Sequence, residues 1–146
     1  MKTSASGFRV ENYTLMLETQ GVCDVHDITE AGRDKVRASG VKKGQVLFFA
    51  VGSTAGITTV EYEPGLVKDL KAFFEKLAPQ NQPYFHEETW HDGNGFSHVR
   101  ASFLKPSLSV PVLDGQPVLG TWQQVIFVDF DNRPRKREVI IQVIGL

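Results

Sequence analysis

Residues 45–51, QVLFFAV, form a continuous apolar run directly after the polar turn Lys42-Lys43-Gly44. A short apolar run bounded by turn residues is typical of a strand whose two faces are both buried. We therefore predict a central strand here. The next segment, Gly56–Glu61 (GITTVE), is rich in β-branched residues and predicts a second strand.

The second half of the chain alternates between apolar and polar residues, which is the pattern of half-buried strands. This alternation occurs over residues 99–103, 108–112, 122–130 and 138–143. Turns at Asp114-Gly115 and Asp131-Asn132 separate the later runs. Most of the fold is therefore predicted to be antiparallel sheet.

The first half adds a hairpin and two helices to this prediction. Segments Phe8–Thr19 and Val22–Ile28 flank a Gln-Gly turn and predict an antiparallel hairpin. A short helix is expected from Thr29 to about Ser39, and a longer one begins at Pro64, with apolar residues at helical spacing. We predict a mainly β or α+β fold, in which residues 1–146 form a single antiparallel, sandwich-like domain with about two helices.

Composition narrows the functional class. The chain has 16 Lys and Arg against 17 Asp and Glu, a balance that predicts no general attraction to nucleic acid or to an anionic membrane. Its single cysteine excludes an intramolecular disulfide and a multi-cysteine zinc cage. No run reaches the roughly 20 apolar residues that span a bilayer. The N-terminus lacks the apolar core of a signal peptide, so we expect a cytoplasmic protein.

The densest polar segment, Phe85–His98, predicts a long functional loop. It contains His86, His91 and His98 together with several carboxylates and glycines, and long loops in small domains are often functional. Imidazole and carboxylate are ligands for zinc or another divalent metal, so His91, His98 and Asp92 are candidate ligands. The alternative is a solvated loop that carries surface histidines.

Two acidic residues and a glycine-rich turn give weaker signals. Glu61 and Glu63 have the same parity on an extended chain and point to one side. There they can hold a divalent cation or act as acid and base; alternatively they are exposed or cap the following helix. The turn Gly52–Gly56 follows a strand at a place where backbone N–H groups can cradle an anion.

Three further features have structural as well as functional interpretations. Trp122 with Gln123 can stack on and hydrogen-bond a heterocycle, or can serve packing alone. Residues 133–137, RPRKR, carry four cations, which we interpret mainly as a solvated turn, with phosphate binding as the alternative. Cys23 is expected to be a buried, inert thiol.

Taken in order, these segments resemble the YjbQ-like family of small cytoplasmic proteins, whose members are often assigned a secondary thiamine-phosphate synthase activity. The resemblance covers nearly the whole chain. It rests on Asp27-Ile28-Thr29, Ser53-Thr54-Ala55, Glu61, Gly93-Asn94-Gly95-Phe96-Ser97-His98 and Gly120-Thr121-Trp122-Gln123-Gln124. It implies a mainly β fold with two helices that assembles as a homotrimer, with its site at or near subunit boundaries.

By residue, the resemblance points to a catalytic or binding role for the set Glu61, Asn94, His98, Trp122 and Gln123, with His91 in a less constant position. Ser53 and Thr54 are added as substrate-binding candidates. Many relatives carry His-Thr-Thr where this chain has Gly52-Ser53-Thr54. A histidine is therefore missing from that position, and His91 or Glu63 is a candidate to replace it.

The implied reaction joins a hydroxymethylpyrimidine diphosphate to a thiazole phosphate and releases pyrophosphate. A divalent ion, Mg²⁺ or Zn²⁺, would assist the departing diphosphate, with Glu61 and Asp92 as oxygen ligands. Trp122 would stack on the pyrimidine ring, and Gln123 or Asn94 would bond its edge.

In the same reaction, Arg100 or the Arg135–Arg137 cluster would bind phosphate.

The sequence leaves two alternative functions open. One is a metal-dependent hydrolase centred on His91 and His98. The other is a non-catalytic trimeric protein that binds a small metabolite or an ion.

Overall fold

The computed structural model describes residues 7–146, which form eight strands in two antiparallel sheets and four helices. The strands are β1 (Arg9–Thr19), β2 (Asp24–Asp27), β3 (Lys43–Val51), β4 (Ala55–Val60), β5 (Ser107–Leu113), β6 (Gln116–Pro117), β7 (Gln124–Asp129) and β8 (Arg135–Gly145). The helices are α1 (Thr29–Ser39), α2 (Pro64–Leu77), α3 (His86–Trp90) and α4 (Gly95–Leu104). The mainly β, α+β class is confirmed, with two helices more than predicted.

The apolar run 45–51 lies at the centre of the larger sheet, whose strand order is β1-β8-β3-β5-β6. Its predicted burial on both faces is wrong for the chain on its own. Phe48 is 1% exposed, whereas the next residue, Phe49, is 40% exposed. The strand buried on both faces is β7, in the middle of the smaller sheet β2-β7-β4.

The smaller sheet is the middle layer of the molecule, and this position explains the burial of β7. On one side it packs against the larger sheet, where Val125 and Phe127 enter a shared core with residues of β3, β5, β8 and α1. On the other side, Ile126 and Val128 meet α2 and α4. The order of layers is therefore sheet, sheet, helices, and the outer face of the larger sheet remains uncovered by residues 7–146.

The predicted hairpin between residues 8–19 and 22–28 is wrong, because the chain changes sheets at that point. β1 pairs with β8, whereas β2 pairs with β7. Gly21, Val22 and Cys23 all have positive φ, and the Val22 N–H donates to the Asp131 carbonyl at 2.6 Å. The turn signal was correct, but a turn does not specify which sheet the next strand joins.

Residues 85–103 are mostly helical and do not form a loop followed by a strand. α4 buries Phe96, Ser97, Arg100 and Ala101, which lie on one face at helical spacing. Phe103 is exposed, so the alternation at 99–103 is not the pattern of a buried strand face. Within residues 7–146, no helix has both the length and the apolar character needed to cross a bilayer.

The two predicted helices are confirmed, but the expected cap at Thr29 is wrong, because α1 begins after Ile28 without a side-chain cap. The C-terminal end of α1 and the N-terminal end of α2 follow the expected chemistry. Gly40 closes α1 in a left-handed conformation with φ 73°, which glycine adopts without steric cost. Glu63 caps α2 by accepting hydrogen bonds from the N–H groups of Gly65, at 2.8 Å, and Leu66. Glu63 is therefore a helix cap. Its carboxylate is occupied by these hydrogen bonds and does not pair with Glu61 to form a cation or acid–base site.

Candidate functional site

A polar pocket lies where the β3–β4 turn meets the β7–β8 connection and the N-terminal turn of α4. Its volume is about 380 Å³, within the range of small-molecule sites. The lining residues that carry chemistry are Ser53, Thr54, His86, Asp92, Asn94, His98, Asp131, Arg135 and Arg137. We call this cavity the histidine pocket.

Asp131 forms the floor of the histidine pocket and is 1% exposed. It accepts hydrogen bonds from the Thr54 hydroxyl at 3.1 Å, from Arg135 Nε at 2.9 Å and from the Asn132 N–H at 2.8 Å. Burial alone would raise its pKa, but these donors and the charge of Arg135 outweigh burial and hold the pKa below its usual value. Asp131 is therefore a fixed anion at neutral pH.

Arg137 is held against a second buried carboxylate. Its Nε and Nη2 donate to the two carboxylate oxygens of Asp129 at 2.7 and 2.8 Å, and Nη2 also donates to Thr54 Oγ1 at 2.6 Å. Burial lowers the pKa of Arg137, but Asp129 and Asp131 outweigh it and raise that pKa. The interpretation of residues 133–137 as a solvated turn is thereby corrected, because Arg137 belongs to β8 and is buried.

Two histidines face each other on the helical side of the pocket. The rings of His86, on α3, and His98, in the first turn of α4, have centres 4.3 Å apart. His86 Nε2 lies 3.7 Å from Asp92 Oδ1. Burial, followed by the neighbouring His86, lowers the pKa of His98 from its usual 6.5. His98 is therefore a neutral imidazole at pH 7, with one N–H donor and one acceptor nitrogen.

Asn94 links the histidine pair to the Asp131 network. The residue is buried and its amide lies between two carboxylates. In one orientation the amide nitrogen reaches Asp131 Oδ1 at 3.3 Å. In the other it reaches Asp92 Oδ1 at 2.8 Å and His86 Nε2 at 3.3 Å. In either orientation, the buried amide hydrogen-bonds an acidic side chain of the pocket.

His91 lies outside the histidine pocket. It ends α3 with φ 56° and lines a separate cavity of about 500 Å³, together with Tyr84 and Glu88. The structure thus brings His98 together with His86 and not with His91. Among residues 7–146, no three His, Cys, Asp or Glu side chains are grouped so that they could hold a metal ion. The predicted ligands Glu61, His91, Asp92 and His98 do not fit one metal centre within a single chain.

The other predicted site residues lie at the far end of the smaller sheet. Trp122 is 71% exposed, and Glu61 is exposed directly after β4. Gln123 Nε2 donates to Thr59 Oγ1 at 3.0 Å, and its Oε1 accepts from the Gly120 N–H at 3.0 Å. We call Glu61, Trp122 and Gln123 the tryptophan end.

The histidine pocket adjoins the start of β4, and the tryptophan end adjoins its finish. β4 spans six residues, Ala55–Val60. A rise of about 3.3 Å per residue puts the two groups roughly 17 Å apart. A single chain therefore does not combine Glu61 or Trp122 with His98 in one pocket.

Arg100 has a structural role, which corrects its prediction as a phosphate ligand. It is 1% exposed, and its guanidinium donates to the Ala78 carbonyl at 3.0 Å and to Glu75 Oε2 at 2.6 Å. These bonds tie α4 to the C-terminal end of α2, away from the pocket. Cys23 is buried, and burial raises its pKa to about 11, which confirms the expectation of an inert thiol.

Sequence reasoning gave no role to Asp129 or Asp131 and assigned none to His86. A usable signal was present in the parity of the residues around the β7–β8 turn. Asp129 and Asp131 are two apart, as are Arg135 and Arg137, so each pair projects to one side of an extended chain. Two acidic residues and two arginines on facing sides of a turn predict an ion-pair network.

Known proteins are similar to this chain in sequence and in fold over nearly their whole length. Residues 13–146 match the sequence model of the family described as UPF0047 protein YjbQ-like. The chain belongs to the YjbQ-like UPF0047 family. A UPF0047 protein of Archaeoglobus fulgidus is 35% identical over 130 residues, which cover 89% of this chain and 98% of that protein. A UPF0047 protein of Synechocystis is 32% identical, with 99% of each chain covered.

Solved structures show the same fold. A YbjQ-like protein of unknown function from Sulfolobus solfataricus is 28% identical and has a TM-score of 0.91. The match covers 96% of this chain and 100% of that protein. A protein of the YjbQ/UPF0047 family from Clostridium acetobutylicum is 32% identical, with a TM-score of 0.82 over 90% of this chain and 98% of that one. The family resemblance inferred from the sequence is thus confirmed.

Proposed function

We propose that this protein is an enzyme acting on a small phosphorylated metabolite, with a transfer of the thiamine-phosphate synthase type as its reaction. The observation that carries the proposal is the content of the histidine pocket. A neutral His98, the hydroxyl-bearing turn at Ser53 and Thr54, and two arginines share one cavity. Cations and N–H donors around a cavity of this size suit a substrate with phosphate groups.

The reaction needs stabilisation of a leaving group more than it needs a base. The thiazole nitrogen forms a bond to the methylene carbon of the pyrimidine, and the carbon–oxygen bond to the diphosphate breaks. The electron pair of that bond leaves on pyrophosphate. Donors already fixed around the developing charge lower the barrier, and Arg135, Arg137 and the N–H of His98 can supply them.

Asp129 and Asp131 have a positioning role in this scheme. Their hydrogen bonds to Arg135 and Arg137 fix the guanidinium groups before the substrate arrives. A divalent ion would then enter with the diphosphate itself, as Mg²⁺ commonly does, and would not require a cage of protein ligands.

We further propose that the active unit is a homotrimer, in which the tryptophan end of one subunit completes the histidine pocket of another. The separation of the two groups within one chain supports this. The outer face of the larger sheet also supports it, because the apolar side chains of Met16, Phe49 and Val51 are exposed there. Phe49 lies in register with Ile140, whereas Glu138 lies between Met16 and Val51. A face with exposed apolar side chains among polar ones is compatible with a contact between identical subunits.

Turnover of the purified protein with hydroxymethylpyrimidine diphosphate and thiazole phosphate, followed by pyrophosphate release, tests the reaction. We expect His98→Ala to lower the rate by about 10²–10³, as for loss of one fixed donor at a developing anion. His91→Ala, outside the pocket, is the matched control and should keep the parent rate. Complementation of a thiamine synthase-deficient strain is the corresponding test in cells.

Unchanged turnover in a folded, trimeric His98→Ala protein would contradict the proposal. So would a parent protein that releases no pyrophosphate. Saturable ligand binding without turnover would favour the non-catalytic binding protein instead.

A further inference from the structure

One edge of the Arg137 guanidinium faces the histidine pocket. Its Nε and Nη2 are occupied by Asp129 and Thr54, and Nη1 forms no hydrogen bond with any residue in the range 7–146. A Cβ atom at Gly52 would lie 3.1 Å from Nη1. Because Gly52 has no side chain, the β3–β4 turn approaches Nη1 closely without covering it, and both line the histidine pocket.

Arg135 occupies the junction of two cavities. Its Nε and Nη2 both bind Asp131 Oδ2, at 2.9 and 2.8 Å, so its position is fixed from one side. The same residue lines the histidine pocket and an adjoining cavity of about 320 Å³. That second cavity also contains Arg133 and Asn132.

We propose that the two cavities together form a diphosphate subsite. One phosphoryl group lies in the histidine pocket against Arg137 Nη1, beside the Gly52–Thr54 turn. Arg135 bridges to the second phosphoryl group, and Arg133 meets that second group. A guanidinium held by a carboxylate on one edge keeps a rigid set of donors on the other. Arg137 and Arg135 are held in this way, and Arg133 is an exposed third cation on the second cavity. Cations at the two ends and the centre of a divided cavity fit a ligand with two linked phosphates.

Asp92 is the carboxylate that opposes this binding. Asp129 and Asp131 are buried and engaged with arginine, whereas Asp92 lines both cavities and is partly exposed. An anion in the subsite meets its negative charge. Loss of that charge in Asp92→Asn should therefore strengthen binding, the opposite of the effect of removing an arginine.

This inference deepens the proposed function and rests on it for the nature of the ligand, but binding tests it separately from turnover. The probes are inorganic pyrophosphate and orthophosphate, titrated calorimetrically into the purified full-length protein. We expect pyrophosphate to bind about tenfold more tightly or better, a ratio set by the second phosphoryl contact. Arg133→Gln should reduce pyrophosphate affinity to about that of orthophosphate.

Gly52→Ala is expected to weaken pyrophosphate binding about tenfold or more, because its methyl group crowds Nη1. Gly40→Ala is the matched control. Gly40 also has positive φ, and a Cβ atom there would lie 3.0 Å from Arg9 Nη1, outside both cavities. Gly40→Ala likewise adds a methyl group to a positive-φ glycine beside an arginine, but it should leave binding unchanged.

Equal affinity of the parent for the two anions, no binding of either, or equal losses in Gly52→Ala and Gly40→Ala would overturn the subsite. Weaker binding by Asp92→Asn would do the same. Pyrophosphate binding as expected, without any synthase turnover, would support the subsite while removing the proposed reaction.

Discussion

The two ends of the smaller sheet differ in how far each is completed by its own chain. At the histidine pocket, Asp131, Asn94 and Thr54 are all buried, and Asn94 and Thr54 each donate a hydrogen bond to Asp131. At the tryptophan end, Trp122 and Glu61 are exposed to solvent. Burial of polar groups is costly unless every partner is in place. The first end is therefore organised by folding, and the second is available to a neighbouring molecule.

The largest effect that would test this difference is on stability. Asp131→Asn should lower the free energy of unfolding by about 1–3 kcal/mol, because it removes the carboxylate that accepts from Thr54, Arg135 and the Asn132 N–H in a buried site. Glu61→Gln at the tryptophan end should change it by no more than about 0.5 kcal/mol. Urea unfolding of both variants is the measurement. Similar losses in the two would show that the ends do not differ as described.

Subunit mixing tests whether the two ends meet in the assembly. His98→Ala and Trp122→Ala are each expected to be inactive or nearly so. Trimers refolded from an equal mixture should recover about a quarter of the parent rate, since random assembly leaves that share of interfaces with both residues intact. Mixing after assembly, without subunit exchange, is the control. No recovery in correctly mixed trimers would place the two ends in separate roles.

The pH dependence of stability should report the burial of His98. Because its pKa is lowered in the folded state, the unfolded chain binds the proton more readily. Stability is then fully present above about pH 6.5 and falls as the pH decreases through the lowered pKa, with a slope of up to about 1.4 kcal/mol per pH unit. Chemical denaturation between pH 5 and pH 8 measures it.

His98→Gln should flatten this pH dependence, whereas His91→Gln should not. His86 and Asp92 face the same ring, so they are held constant in both variants. An equal slope in the parent and in His98→Gln would assign the effect to another group.

The smallest expected effect distinguishes Glu61 at the tryptophan end from Glu63, which caps α2. Glu63→Ala should cost about 0.5–2 kcal/mol, the usual range for loss of a side-chain cap, because Glu63 accepts two N–H bonds at the start of α2. Glu61→Ala should be nearly neutral. Thermal unfolding of the two variants compares them, and a larger loss for Glu61 would give it a structural role that its exposure does not suggest.

Much of the strand pattern was readable from local sequence, but the pairing of strands was not. The runs that became β3, β4 and β8 were each predicted, because alternation and β-branched residues act over a few positions. The pairing of β1 with β8 joins residues more than a hundred positions apart. No turn at Gly21 encodes that partner.

The candidate site was likewise predicted only in part. Thr54, Asn94 and His98 do share one pocket. The neighbour of His98 is His86 and not the predicted His91, because the helix at 86–90 points the side chains of His86 and His91 to different sides. A predicted loop does not specify the directions of its side chains.

Spacing and residue type along short stretches were enough to predict the β-rich class, helices α1 and α2, and the family. The tertiary structure alone decided which charges became buried. Arg100 lies in a segment of apolar alternation and Arg137 in a run of basic residues, yet both are buried. One ties two helices together and the other lines the pocket. Their surroundings are supplied by residues distant in the chain, and the electrostatics of a buried group depends on those surroundings more than on its own identity.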